Sequence, residues 1–186
     1  FSIPIAGLYN IYNALAAYSA AKFFGLSTEE IQEGFSKAQR VFGRQETFDV
    51  EDKEVMLNLI KNPVGFNQIV QLLSYEKESF SLGVLLNDNP ADGQDISWIW
   101  DGDFEGLHAL NAVDTAISGI RVEDLGVRME VAGFENMKVF KTNAELIDWI
   151  RKAPTKKVNV LATYTALLDL RKDFAKEGYL KEGMNG

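Results

Sequence analysis

The feature that most limits what this chain can fold into is an alternation that starts near residue 54 and runs almost to its end. Short apolar runs at 54–60, 80–86, 112–117, 138–141 and 158–162 read as strands. Stretches at 64–75, 122–132, 143–152 and 166–176 read as helices, the first entered through the turn Lys61-Asn62-Pro63. A strand–loop–helix unit repeated four to five times predicts an α/β fold, a mostly parallel Rossmann-like sheet flanked by helices. The segment from Thr47 to residue 60 adds a hairpin leading into the first buried strand. Neither a solenoid-period repeat nor a low-complexity segment interrupts the pattern.

Upstream the pattern is different. Residues 8–24 form an Ala-rich helix closed by Gly25, with Asn10 and Asn13 one turn apart on a shared face. Those amides suit either a ligand or the capping of their own turn. Ser27-Thr28-Glu29-Glu30 is a capping box, and a second helix follows to about residue 37. Two helices without strands predict the tail of a domain whose body lies elsewhere. The boundary falls near Arg44, leaving a helical tail over 1–44 and an α/β domain over 45–186. The start, Phe1-Ser2-Ile3-Pro4, lacks an initiator Met and a basic stretch, so it reads as a piece of a longer protein and not as a signal peptide.

Charge and composition narrow the function classes. A net charge of −8 argues against a nucleic-acid partner, and no apolar run is long enough for a transmembrane segment. The absence of cysteine excludes disulfides, thiolate metal sites and a cysteine nucleophile from this chain. The single histidine, His108, has no second His or Cys with which to build a zinc site; it reads as structural, and no metal site is predicted. The cytoplasm is the default location.

Chemistry concentrates at strand exits, where open α/β sheets place ligands. The loop 87–101 follows the strand 80–86 and carries Asp88, Asp92, Asp95 and Asp101, with Pro90 and Gly93 as turn formers and Trp98 and Trp100 behind them. It is either a solvated acidic loop over two core aromatics or a site. Lys61 is either a solvated turn lysine or a cation facing developing charge. Gly43-Arg44 with Glu46 is either a phosphate clamp or a surface ion pair.

Together these motifs resemble the Mur ligase superfamily. Gly7-Leu-Tyr-Asn10-Ile-Tyr-Asn13 is similar to the end of its central ATP-binding domain, with Tyr9 where the family usually has His, and Gly43-Arg44-Gln45-Glu46 is similar to its junction with the C-terminal domain. Lys61-Asn62-Pro63, Asp92-Gly93-Gln94-Asp95-Ile-Ser97-Trp98-Ile-Trp100-Asp101, Ser118-Gly-Ile-Arg121 with Asp124, and Leu161-Ala-Thr-Tyr-Thr165 resemble the MurT-type subunits of lipid II isoglutaminyl synthase. The resemblance implies an ATP- and Mg²⁺-dependent ligase that amidates the α-carboxylate of D-glutamate in the lipid II stem peptide, at the inner face of the membrane. It also implies a partner, a GatD-type glutaminase, which supplies ammonia and whose triad is completed by an aspartate of this domain. That aspartate is expected in the acidic loop, Asp95 or Asp101 ahead of Asp92. Asn10, Asn13 and Arg44 are expected to help hold the nucleotide, and Lys61 and Asn62 to approach the substrate. The family's phosphate loop, Gly-x-x-Gly-Lys-Thr/Ser, is absent from these residues, so the chain alone is expected to hold no cofactor tightly and to be inactive as a ligase. The alternatives are the corresponding domain of another Mur ligase or of a folylpolyglutamate synthetase-like enzyme, or a docking domain without catalytic duty.

Overall fold

Parallel pairing dominates the sheet because nearly every strand is followed by a helix that carries the chain back over a face. The computed structural model describes residues 3, 8–37, 45–110 and 112–180. The chain divides into two compact units, Phe1–Val41 and Phe42–Gly186.

The first unit holds α1 (Leu8–Phe23) and α2 (Thr28–Ser36). The Ser27 hydroxyl accepts from the Glu30 amide at 3.2 Å, and the Glu30 carboxylate accepts from the Ser27 amide at 2.8 Å, the reciprocal capping box that its sequence predicts. These bonds, the Ser27 backbone first, hold the Glu30 carboxyl below its ordinary range. Ile31 is buried here, while Ile11, Tyr12, Leu15, Phe23 and Phe24 are exposed.

The second unit holds β1 (Glu46–Val50), β2 (Lys53–Leu59), α3 (Pro63–Leu73), β3 (Phe80–Leu85), α4 (Phe104–His108), β4 (Ala112–Ser118), α5 (Val122–Val131), β5 (Lys138–Val139), α6 (Asn143–Arg151), β6 (Lys157–Ala162) and α7 (Tyr164–Lys176). The sheet order is β1-β2-β6-β3-β4-β5, with only the β1–β2 hairpin antiparallel. Two apolar layers cover the two faces. Phe66 and Val70 of α3, Phe104 and Leu107 of α4, and Leu125 and Met129 of α5 pack with Leu82, Val84 and Ile117 on one face. Leu146 and Ile150 of α6 and Leu167 and Phe174 of α7 pack with Val55, Leu57 and Val160 on the other. Right-handed crossovers require this segregation: the chain steps β2, β3, β4, β5 in one direction, then reverses to insert β6 between β2 and β3.

The mostly parallel sheet agrees with the sequence reading, and the differences are local. Asn62 is not merely part of a turn; it caps α3 by accepting from the Gly65 amide at 2.8 Å, with Pro63 in the first helical turn, where a missing N–H costs nothing. The loop 87–101 holds a 3₁₀ turn at Ser97–Trp100, and beyond it, where the sequence reading places no element, stands the short α4, whose N-cap is Asp103 accepting from Gly106 at 2.8 Å. The fifth strand is two residues long, and its pairing ends with the Phe140 amide donating to the Ile117 carbonyl at 3.0 Å.

Candidate functional site

The reversal in strand order puts the exits of β3 and β6 side by side, with α7 leaving on one face and the β3 connection on the other. This is the switch point at which open α/β sheets have their crevice. Here a polar network fills it. Asn87, immediately beyond β3, is buried; its amide nitrogen donates to the Thr163 hydroxyl at 2.8 Å and its side-chain amide donates to the Thr165 hydroxyl at 2.9 Å. The Asn87 side-chain oxygen accepts from the Ile120 amide at 2.9 Å, which draws in the exit of β4. Gly119 allows that approach: its φ is +103°, and a Cβ there would collide with the Leu86 carbonyl.

The four acidic residues of the loop have different surroundings. Asp92 is 5% exposed and turned inward, accepting from the Thr165 amide at 2.7 Å, the Thr165 hydroxyl at 2.6 Å and the Asn89 amide at 3.1 Å. It therefore satisfies an orphan N–H in the first turn of α7, where a carboxylate is also favoured by the helix dipole. Asp88 pairs with Arg121 at 2.6 Å, and the same guanidinium reaches Asp124 at 2.8 Å, which raises the Arg121 pKa and lowers that of Asp124. Asp95 is exposed, and its Oδ1 accepts from the Ser97 amide at 2.8 Å. Ser97, through its hydroxyl first and then its backbone, holds the Asp95 carboxyl below the ordinary carboxylate range. Asp101 is also exposed, but among the described residues no hydrogen bond or ion pair fixes its carboxylate; only its backbone is bound, to the Trp98 carbonyl at 3.1 Å. Asp95 is thus the one loop carboxylate that is both outward and oriented.

A residue that sequence reasoning passed over braces the loop from below. Arg128 of α5 is 3% exposed; its Nε donates to the Ile99 carbonyl at 2.9 Å and its Nη2 to the Gly102 carbonyl at 3.1 Å. Both Nη atoms also donate to Glu105, each at 2.8 Å, a bidentate fork that keeps the Glu105 carboxyl below its ordinary range. The guanidinium lies 4.8 Å from the Phe104 ring centre and 5.5 Å from that of Trp100. The two tryptophans consequently differ: Trp98 is half-buried against Phe66, whereas Trp100 is 53% exposed.

The other sequence-derived candidates are dispersed. Lys61 is exposed at the exit of β2, two strand positions from β3 and so about 9–10 Å away across the sheet; among the described residues nothing pairs with its ammonium. The Asn62 side-chain oxygen is occupied by its cap. Asn10 is half-buried and Asn13 exposed on α1, in the first unit. Arg44 lies outside the described residues. Glu46, from the same junction, accepts from the buried Arg171 at 3.0 Å and ties β1 to α7. His108 stands edge-on to Phe134 at 5.1 Å, a packing role. Among the described residues no group of three His, Asp or Glu is placed to hold a metal, and no helix is long and apolar enough to cross a membrane.

Replacing Asp92 by Ala leaves the Thr165 N–H and hydroxyl and the Asn89 N–H without their acceptor. A loss of about 2–3 kcal/mol is expected from equilibrium chemical denaturation, with Asp95→Ala close to neutral in the same assay.

The sheet order and the two helical layers define a mostly parallel α/β domain, a fold that recurs in solved folylpolyglutamate synthases and in a MurF. The fold is similar to Mycobacterium tuberculosis folylpolyglutamate synthase complexed with ADP and AMPPCP (TM-score 0.67, 20% identity, 95% of this chain and 41% of that one). It is also similar to MurF from Acinetobacter baumannii (TM-score 0.62, 22% identity, 94% of this chain and 39% of that one). Sequence narrows the class further: the MurT ligase C-terminal family model matches residues 59–167, and the chain belongs to the MurT family. It is 43% identical over 187 residues to the MurT subunit of the glutamine-hydrolysing lipid II isoglutaminyl synthase of Streptococcus pneumoniae, covering 100% of this chain and 42% of that protein. With the corresponding Staphylococcus aureus subunit it is 36% identical over 154 residues, 80% of this chain and 35% of that protein. The chain therefore spans about two-fifths of the length of the relatives it matches.

Proposed function

We propose that this chain is the C-terminal part of a lipid II isoglutaminyl synthase synthetase subunit, and that it serves the reaction by completing the active site of a GatD-type glutaminase. Residues 1–44 are then the end of the central ATP-binding domain and 45–186 the C-terminal domain. The exposed apolar residues of α1 and of the turn after it, Ile11, Tyr12, Leu15, Phe23, Phe24 and Leu26, suit such a role, since they offer a surface for the rest of a larger domain.

The observation that carries the reading is the sorting of the loop carboxylates. Asp88 and Asp92 are engaged within the domain, while Asp95 is presented to the outside in a fixed direction and in its ionised form. An aspartate so placed can accept from one imidazole nitrogen of a partner's histidine, set its tautomer and stabilise the imidazolium. The partner's cysteine then attacks the carboxamide carbon of glutamine, the imidazole passes the thiol proton to the leaving nitrogen, and ammonia departs from the tetrahedral adduct, leaving a thioester that water hydrolyses to glutamate and free thiol. These 186 residues contain no cysteine to act as nucleophile, and this reading assigns it to the partner.

In the longer polypeptide, ATP and Mg²⁺ would supply the activation of the α-carboxylate of D-glutamate in lipid II on which amidation by ammonia depends. The described residues fit neither group by themselves: the crevice at the sheet's switch point is filled by the Asn87–Thr165–Asp92 network, and no metal-holding cluster is present among them. Nucleotide and metal are assigned to the remainder of the longer polypeptide, with Asn10, Asn13, Arg44, Lys61 and Asn62 as contributors, and the chain alone is inactive as a ligase. A different Mur ligase or a folylpolyglutamate synthase is disfavoured, because those likenesses stand at 20–22% identity and carry the fold alone.

The test is glutamate release from glutamine by the cognate glutaminase, with and without this chain. Binding together with a rise in turnover is expected. Absence of both would overturn the reading.

A further inference from the structure

The bond from the Ser97 amide fixes the direction of the Asp95 carboxylate relative to its own backbone, and other groups must fix that backbone relative to the domain. On the C-terminal side Arg128 does so by holding the Ile99 and Gly102 carbonyls. On the N-terminal side stands the turn Asn89-Pro90-Ala91-Asp92. It is closed on itself by the Asp92 amide donating to the Asn89 carbonyl at 2.8 Å and by the Asn89 amide donating to the Asp92 carboxylate at 3.1 Å. Asn89, Pro90 and Ala91 are exposed, so apolar burial does little to keep this turn in place.

Thr165, in the first turn of α7, is its anchor. The Thr165 amide donates to Asp92 Oδ1 at 2.7 Å and its hydroxyl donates to Oδ2 at 2.6 Å. The hydroxyl oxygen accepts from the side-chain amides of Asn87 and Asn89, each at 2.9 Å. The one proton and both lone pairs of this hydroxyl are thereby used. Among the described residues, every hydrogen bond that joins the 89–92 turn to the rest of the domain runs through Thr165. Thr165 itself is held by a rigid element, since Leu167, Leu170 and Phe174 of α7 are fully buried in the core.

We propose that Thr165 is a positioning residue for glutamine hydrolysis: its hydroxyl passes the rigidity of α7, through Asp92, to the turn from which Asp95 projects. This rests on the reading that Asp95 completes the partner's site, and it adds to that site a residue from a different element near the end of the chain. Without the anchor Asp95 keeps its charge and its bond to Ser97 but loses its place. A displacement of about 1 Å at a group that orients the chemistry costs on the order of 10²-fold in rate.

The experiment measures glutamate release by the cognate glutaminase in complex with the full-length synthetase subunit, together with the affinity between the two. Thr165→Val keeps the shape of the side chain and removes the hydroxyl. It is expected to lower kcat by about 30-fold. KM for glutamine and affinity for the partner should stay within about twofold, because the hydroxyl is spent inside the domain. Thr165→Ser retains the hydroxyl and is expected to keep at least about half of the rate. Asn89→Ala removes one bond from the exposed side of the turn and is expected to lower kcat by about 3-fold; it decides the matter should Thr165→Val fail to fold. Thr155→Val is the control: it likewise removes a bonded hydroxyl, shared with Ser81 and the Lys157 carbonyl at the strand-entry end of the sheet, and should leave kcat within about twofold. Unchanged turnover in Thr165→Val and Asn89→Ala, with turnover lost in Asp95→Asn, would overturn the positioning role and leave the Asp95 reading standing. Unchanged turnover in Asp95→Asn as well would overturn both. Equal losses in Thr165→Val and Thr155→Val, or a Thr165→Ser protein as slow as Thr165→Val, would make Thr165 a matter of stability alone and overturn the proposal.

Discussion

Asp95→Asn is expected to lower the glutaminase turnover supported by this chain on the order of 10³ to 10⁴-fold, the scale seen when the orienting aspartate of a catalytic triad loses its charge. Affinity for the glutaminase should stay within about twofold, because Asn retains the size of the side chain and can still accept from Ser97. Asp101→Asn is expected to change turnover by less than about twofold: its carboxylate is exposed and nothing directs it. The separation of turnover from affinity is what distinguishes a catalytic contribution from docking alone. The pH dependence adds a check of sign. The Asp95 carboxyl titrates below its ordinary range, so it remains ionised as the pH falls through 6 and 5. The acid limb of the stimulated rate should therefore follow the partner's imidazole, near its ordinary value of about 6.5. A second loss from Asp95 should appear only as the pH passes through that carboxyl's own lowered value. Ser97→Ala removes the larger cause of the lowering and should move the second loss upward.

Arg128→Ala is expected to destabilise the second unit by about 3 kcal/mol, the scale for removing a buried, fully bonded charge. Two carbonyls, of Ile99 and Gly102, lose their donors, and Phe104 and Trp100 lose the cation against their rings. For a unit of this size that corresponds to roughly 6–12 °C in thermal melting. Glu105→Gln should cost about 1 kcal/mol or less, since Glu105 is 60% exposed and its attraction to Arg128 is screened. The two substitutions together therefore separate the bracing of the loop from the ion pair. Because residues 99–105 carry Trp100 and adjoin the Asp95 turn, Arg128→Ala should also lower stimulation of the glutaminase at temperatures where the domain is still folded. An Arg128→Ala protein with unaltered melting and stimulation would show that the loop is held by the apolar packing of Phe66 and Phe104 instead.

How far the sequence could be read follows from where each interaction is encoded. The alternation of apolar runs and helical stretches is local, and it foretells the parallel sheet. The Ser27–Glu30 cap is local too, and it forms as its spacing predicts. The interior of the 87–101 loop is not local. Asp92 finds its role through Thr165, 73 residues further on, and no pattern around either residue announces that bond. Ser97-Trp98-Ile99-Trp100 has the two-residue rhythm of a strand, yet it winds into a 3₁₀ turn whose Ile99 carbonyl is held by Arg128. Arg128 did leave a trace in the sequence: it stands on the buried stripe of α5 with Leu125 and Met129, where a charge must be paired. What it pairs with is a property of the fold. The motif Leu161-Ala-Thr-Tyr-Thr165 was likewise visible as a pattern, while the hydroxyls of Thr163 and Thr165 acquire their function only when β6 inserts beside β3.

The central claim is that Asp95 completes another protein's active site, and the most direct measurement is the structure of the complex with the glutaminase. The expected result is a carboxylate oxygen of Asp95 at about 2.6–3.2 Å from an imidazole nitrogen of the glutaminase's catalytic histidine, with the Ser97 amide still on the other oxygen. A catalytic histidine paired with a carboxylate of its own chain, with Asp95 facing solvent, would contradict the account.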